Sequence, residues 1–219
     1  MELVCALLLL MLGTSAAAPQ DLSSKMFTFP QETDTDHVSL RLKQRELGAL
    51  SVCMRVFTDL RRPYALFLLN TNTSFVIRNH PDLSQYSFKY GSEQPIFNYN
   101  NYIMNAWQSV CGTWDAVSGL AQIWIDGKYS SRKFLSNSPI TGNTMSVILG
   151  QSSDPALGKG HPRNRDSSFV GMLTDLHVWD YVLDPYGAQN YTLYRRFVHG
   201  NVLNWRQLEF EIHGRILLE

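Results

Sequence analysis

The chain is written in short runs whose apolar positions recur every second residue, the period of a strand with one buried face. His37 to Lys43 shows this most cleanly: Val38, Leu40 and Leu42 fall on one side and polar groups on the other. Met26 to Phe29 makes a short strand stopped by Pro30. Leu50 to Thr58, Tyr64 to Leu69 and Ser74 to Arg78 follow, the last two joined by a turn at Asn70-Thr71-Asn72-Thr73. The densest stretch is Val110 to Lys128. A strand ending near Trp114 meets a Ser118-Gly119 turn, Leu120 to Ile125 returns, and Asp126-Gly127 turns again, both residues tolerating positive φ. This grammar predicts an all-β antiparallel protein with Val110–Lys128 at the centre of a sandwich.

The rest of the chain is less regular. Tyr86 to Lys89 is a further strand before a Gly91 turn, and Asn98 to Tyr102 reads as a polar loop with aromatics laid onto the sandwich. Met145 to Leu149 is a strand ending at Gly150-Gln151. Residues 152–168 carry no periodicity, and a long structureless loop in a compact domain is usually functional or disordered. Phe169 to Trp179 resumes as a strand with Val170, Met172, Leu176 and Val178 expected on one face. Asp184-Pro185 is an N-cap followed by proline at the first helical position, which starts the one substantial helix, expected to run to about Tyr194. Leu208 to Ile212 alternates again and is expected to close the domain.

Composition narrows the class. The 219 residues suffice for one sandwich and do not demand a second domain. A formal net charge of zero argues against nucleic acid, which needs a clustered basic face; Arg61-Arg62 and Arg195-Arg196 read as solvated edges. Residues 1–17 read as a secretory signal, with the apolar run Leu7 to Leu12, a small-residue zone after it and cleavage near 16–18. The run is too short to span a bilayer, and no later stretch is apolar enough, so the expectation is a secreted, extracellular protein. Removing the signal removes Cys5 and leaves Cys53 and Cys111. In an oxidising compartment the leading reading is that these pair, closing a long loop worth about 4 kcal/mol. Two buried thiols or a bond to another chain are the alternatives.

Catalytic motifs are missing: there is no Gly-x-Ser-x-Gly, no phosphate-binding glycine loop and no His-Glu-x-x-His. The six histidines are scattered singly. The close acidic pairs, Asp34/Asp36 and Glu209/Glu211, lie in a turn and on a strand face, not across a cleft as a glycosidase requires. The expectation is a binding protein and not an enzyme. Two glycosylation sequons stand at Asn72 and Asn190, the first on a turn and the second inside the expected helix.

From Lys25-Met-Phe-Thr-Phe-Pro30 to Asn201-Val-Leu-Asn-Trp205 the mature chain resembles the pentraxin family. The residues that carry the resemblance include Val52-Cys53, Cys111-Gly112-Thr113-Trp114, Trp124-Ile-Asp-Gly-Lys128, Ile148-Leu-Gly-Gln151 and Trp179-Asp-Tyr-Val-Leu183. The family signature begins with His and ends with Ser or Thr, where this chain has Ser109 and Ala116. The resemblance implies one pentraxin domain over 18–219, a two-sheet antiparallel jelly-roll sandwich with one helix on a face, and a Cys53–Cys111 bridge. It also implies a homo-oligomeric ring, commonly a pentamer, and calcium-dependent recognition of phosphocholine or carbohydrate in innate immunity. Recruitment of complement and Fc receptors by the helix-bearing face is implied as well.

Residue by residue, the family's calcium ligands carry over badly. Two Ca²⁺ ions need many hard oxygen donors, largely carboxylates. Asp154 matches a family aspartate, and Ser153 matches a position that acts through its backbone carbonyl. Ser152 replaces a glutamate, the early hairpin offers Asn70 and Asn72 without an aspartate, and the late ligands fall near Asn164, Asp166 and Ser167. Lys159, Arg163 and Arg165 in the same loop repel a cation. Calcium binding is therefore expected to be weakened or absent. In the implied ligand pocket Glu93 matches the acidic residue that faces choline, the aromatic wall falls near Ile77, and Lys89 replaces a small threonine. A cation beside choline is repulsive, so phosphate-bearing, anionic or carbohydrate ligands fit at least as well as phosphocholine. The alternative function is a calcium-independent oligomeric protein-interaction module with a vestigial lectin site; a sandwich glycosidase comes third.

Overall fold

The computed structural model describes residues 18–100, 102–152 and 165–219. The proposed signal segment 1–17 and the positions Ser153, Asp154, Lys159, Arg163 and Asn164 lie outside the described residues. The strands, in chain order, begin with β1 (Phe27–Phe29), β2 (His37–Leu42), β3 (Glu46–Leu47), β4 (Ala49–Phe57), β5 (Tyr64–Asn70) and β6 (Phe75–His80). Next come β7 (Gln85–Tyr90), β8 (Ile96–Asn98), β9 (Gln108–Asp115), β10 (Leu120–Ile125), β11 (Lys128–Tyr129) and β12 (Lys133–Phe134). The last are β13 (Ile140–Thr141), β14 (Met145–Leu149), β15 (Gly171–Trp179), β16 (Leu203–Asn204), β17 (Glu211–His213) and β18 (Leu217–Leu218). Among the described residues one α-helix, α1 (Pro185–Thr192), interrupts them.

Two large antiparallel sheets result. One runs β11-β10-β9-β4-β15-β1-β18, the other β17-β2-β14-β5-β6-β7-β8. Alternation explains the layering. On β4, Leu50, Val52, Met54 and Val56 enter the core between the sheets, while Ser51, Cys53 and Arg55 are buried on the other side. Phe67, Leu69, Phe75, Ile77 and Phe88 of the second sheet meet them from the facing side. The sheets approach so closely that a Cβ on Gly112 of β9 would lie 2.5 Å from the Phe88 ring of β7. The whole is a jelly-roll sandwich.

The turn chemistry reads as expected. Asp126 and Gly127 both take positive φ, 49° and 78°, and Gly119 takes 71°. Asp184 caps α1 by accepting a 2.6 Å hydrogen bond from the Gly187 backbone N–H. The helix ends at Thr192, two residues short of the expected Tyr194, which turns away at φ 54°. Three strand expectations need correction. On β15 the buried set is Leu173, Leu176 and Val178, because the register with β4 shifts between Thr174 and His177 and exchanges the faces; Met172 is only partly buried. The alternating Leu208–Ile212 stretch yields a strand only at Glu211–His213, with Ile212 exposed. The last strand in the chain is β18, which pairs with β1 at the edge of the first sheet, while β17 forms an edge of the second.

Cys53 and Cys111 are direct partners on β4 and β9 and form a disulfide across a sequence separation of 58. The bridge sits on the outer side of the first sheet, packed with Trp124, Trp179, Leu183, Ala188 and Tyr191 beneath α1.

Candidate functional site on the open sheet face

Among the described residues no α-helix covers the outer side of the second sheet. Its register places Glu211, Ser39, Ile148, Leu68, Val76 and Lys89 in one row across β17, β2, β14, β5, β6 and β7. The middle of this row is apolar: Leu68, Val76 and Ile148, with Ala65 nearby, form a small buried cluster separate from the main core. Lys89 stands at the end of it, partly buried, directly opposite Val76. In the next row Arg78 lies between Ala65 and Ser87.

Strand alternation corrects one expectation here. Ile77 is fully buried in the core between the sheets, so it cannot form the wall of a pocket on this face. Its neighbours Val76 and Arg78 point outward instead. The period-2 pattern of Phe75 to His80, with Phe75 inward, already carried that information.

The turns gather the other predicted residues at one end. Asn72 is exposed at the tip of the β5–β6 hairpin, and Thr73 beside it lies 3.7 Å from where a Cβ on Gly91 would stand. Glu93 is exposed in the turn after β7, its backbone paired with Tyr90. Lys89, Glu93 and Asn72 thus belong to neighbouring turns and strand ends of one edge.

Around the expected calcium ligands the chemistry is different. Ser152 is almost fully buried; its hydroxyl pairs with that of Ser167 at 3.1 Å and accepts a 3.1 Å hydrogen bond from the Arg78 guanidinium. The 3₁₀ turn Arg165–Ser167 is held by Arg62, which donates to the backbone oxygens of Asp166 and Ser168 at 2.9 and 2.8 Å. Glu32 pairs with both Arg62 and Arg165. Asp166 is exposed on this turn. Hydroxyls facing a guanidinium are a donor set for an anion or for each other, not for two divalent cations. Among the described residues no group of three His, Cys, Asp or Glu could hold a metal. These residues do not fit a pair of calcium ions.

On the helix-bearing sheet the polar groups are spent internally. Arg55 is 3% exposed. It donates to Asp175 at 3.1 Å, to Ser109 Oγ at 2.6 Å and to the backbone oxygens of Tyr191 and Thr192 at the end of α1. Asn190, the second sequon, is 6% exposed on the inner side of that helix. A glycan there needs an outward-facing side chain, and this one is turned inward.

With this geometry in hand, the family is plain. The Pentaxin family model matches residues 25–219. The chain is 34% identical to the C-reactive protein of Sus scrofa over 99% of this chain and 96% of that protein. It is 33% identical to the serum amyloid P-component of Cavia porcellus over 92% and 90% respectively. Among solved structures it resembles the native heptameric SAP-like pentraxin from Limulus polyphemus, with a TM-score of 0.73, 20% identity, and coverage of 90% of this chain and 95% of that one. The chain belongs to the pentraxin family.

Proposed function

We propose that this pentraxin is a secreted pattern-recognition protein of innate immunity, a binder and not an enzyme, whose open sheet face takes anionic, phosphate- or carbohydrate-bearing surfaces without a full calcium pair. The observation that carries the reading is the Arg78–Ser152–Ser167 cluster beside the Leu68–Val76–Lys89 row. Fixed positive charge stands where relatives of the family would gather carboxylates around metal, so the attraction for a phosphate or sulfate comes from side chains. Ring assembly, pentameric or of another order, multiplies weak contacts into avidity. Asn72 at the exposed hairpin tip is the sequon open to a glycan.

The test is retention of the full chain on phosphocholine resin and on dextran sulfate beads, each with calcium and with EDTA. Retention on dextran sulfate that survives EDTA and falls in Lys89→Glu is expected. Elution by EDTA from both matrices, or calorimetry showing two calcium ions bound at micromolar affinity, overturns the reading. Native mass with and without calcium reports ring size in the same preparation. A second reading, a protein-interaction module, draws on the exposed apolar residues Tyr181, Val182, Tyr186 and Val198 around α1; retention on neither matrix would favour it.

A further inference from the structure

A second cavity, of about 440 Å³, opens on the helix-bearing sheet beyond the end of α1, between β15, the entry arm at Ser23 and the 3₁₀ turn Trp205–Gln207. It shares no residue with the Leu68–Val76–Lys89 row. We propose that it is an oxyanion site which takes a sulfate or phosphate group carried on a sugar, gripped by Arg195, Arg206 and His199 with the sugar ring against Trp107.

The charge balance of the walls leads there. The floor is neutral as a unit. Asp175 shares its carboxylate between Arg55 at 3.1 Å and the Nε2 of His177 at 3.3 Å. The Nδ1 of His177 accepts from the Gly200 backbone N–H at 3.3 Å, which leaves Nε2 to face Asp175. Arg55 and Asp175 cancel. Above that floor stand Arg195 and Arg206, both exposed, and neither side chain makes a hydrogen bond or salt bridge among the described residues. Asp175 is the only carboxylate lining the cavity, and it is already used. Asp21, which interacts with Arg206 electrostatically, does not line it. Two guanidinium groups without a hydrogen-bonded partner at a concave site focus field on whatever enters, and their planar forks match a tetrahedral oxyanion.

The remaining walls supply a donor and a ring. His199 stacks on His177 at 5.3 Å and 12°, and Phe197 meets it edge-on at 5.3 Å. Trp107 is 41% exposed and leaned on Phe57, which leaves ring surface for the apolar face of a sugar. Partial burial, His177 and Arg206 together hold the His199 imidazole below its ordinary range, with only Asp175 acting the other way. An oxyanion brought between His199 and Arg206 reverses that balance. Binding then takes up a proton, so affinity rises as pH falls. The Arg195-Arg196 doublet, which the sequence offers as a solvated edge, is split by this geometry: Arg195 faces this cavity, and Arg196 lines another beside the start of α1.

The experiment is calorimetric titration of the full chain at low salt with glucose 6-phosphate, glucose 6-sulfate and inorganic phosphate, at pH 6 and pH 8. Saturable binding of at least one ester, tighter than inorganic phosphate and tighter at pH 6, is expected; which ester wins identifies the source. The double variant Arg195→Gln/Arg206→Gln should lose about tenfold or more in affinity, the scale of one charged hydrogen bond. His199→Gln should flatten the pH dependence. Lys89→Glu should leave this binding intact, which separates it from the open-face reading. Absence of saturable binding, equal binding by the double variant, or loss in Lys89→Glu with retention in the double variant overturns the proposal.

Discussion

The two outer faces of this sandwich use the same strand alternation for opposite ends. On the helix-bearing sheet one cross-strand row reads Trp124, Cys111, Cys53, His177: rings and a disulfide, sealed under α1. On the other sheet the corresponding row reads Ile148, Leu68, Val76, Lys89 and is left without a helix. Beneath α1 the first face is closed by partners within the chain. The second presents charge beside a small apolar floor. The buried packing that holds the fold on an outer face is thus concentrated beneath the helix.

Arg55→Met attacks this contrast at its strongest point. It strands Asp175 and frees the terminal carbonyls of α1, so a loss of about 3–5 kcal/mol is expected in chemical denaturation. A loss under 1 kcal/mol would mean that the helix face does not depend on its internal ion pair. Cys53→Ala/Cys111→Ala should cost about 2–5 kcal/mol, read as a fall in the denaturation midpoint with α1 retained in circular dichroism. Asp184→Ala removes the helix cap and should cost about 1 kcal/mol. Lys89→Glu on the open face should change stability by less than about 0.5 kcal/mol while weakening retention on sulfated beads. If Lys89→Glu destabilises as much as Arg55→Met, the division between the faces fails.

Much of this division is legible in the chain itself. The alternation of His37–Leu42, the paired turns flanking β10 and the Asp184-Pro185 start each depend on local chemistry that a neighbour cannot override. The misread elements share one cause, a dependence on long-range packing. The switch of faces on β15 comes with Asp175 at φ 56°, a conformation unusual for a non-glycine residue, its carboxylate paired with Arg55 of β4 and with His177 on its own strand. The short strand at Glu211 is selected by its pairing with β2, not by its own pattern. Ile77 is the exception: the inward Phe75 two residues before it already places it on the core face. Asn190 was open to either side of a short helix until Ala188 and Tyr191 showed which side packs inward. Within the candidate site, Lys89 and Glu93 were readable, whereas the Arg78–Ser152–Ser167 cluster joins three segments that only the fold brings together.

The bond between Cys53 and Cys111 has a mechanical side. A binder anchored to a surface through one face and loaded through the other is pulled across its strands. β4 and β9 cannot be sheared apart, because a covalent link joins them at directly opposed residues. The neighbouring β4–β15 seam has no covalent link: it is held by ladder hydrogen bonds and the Arg55–Asp175 pair, with a break in register at Thr174–His177. Under tension the first sheet yields along that seam, and the β4–β9 pair travels as one piece.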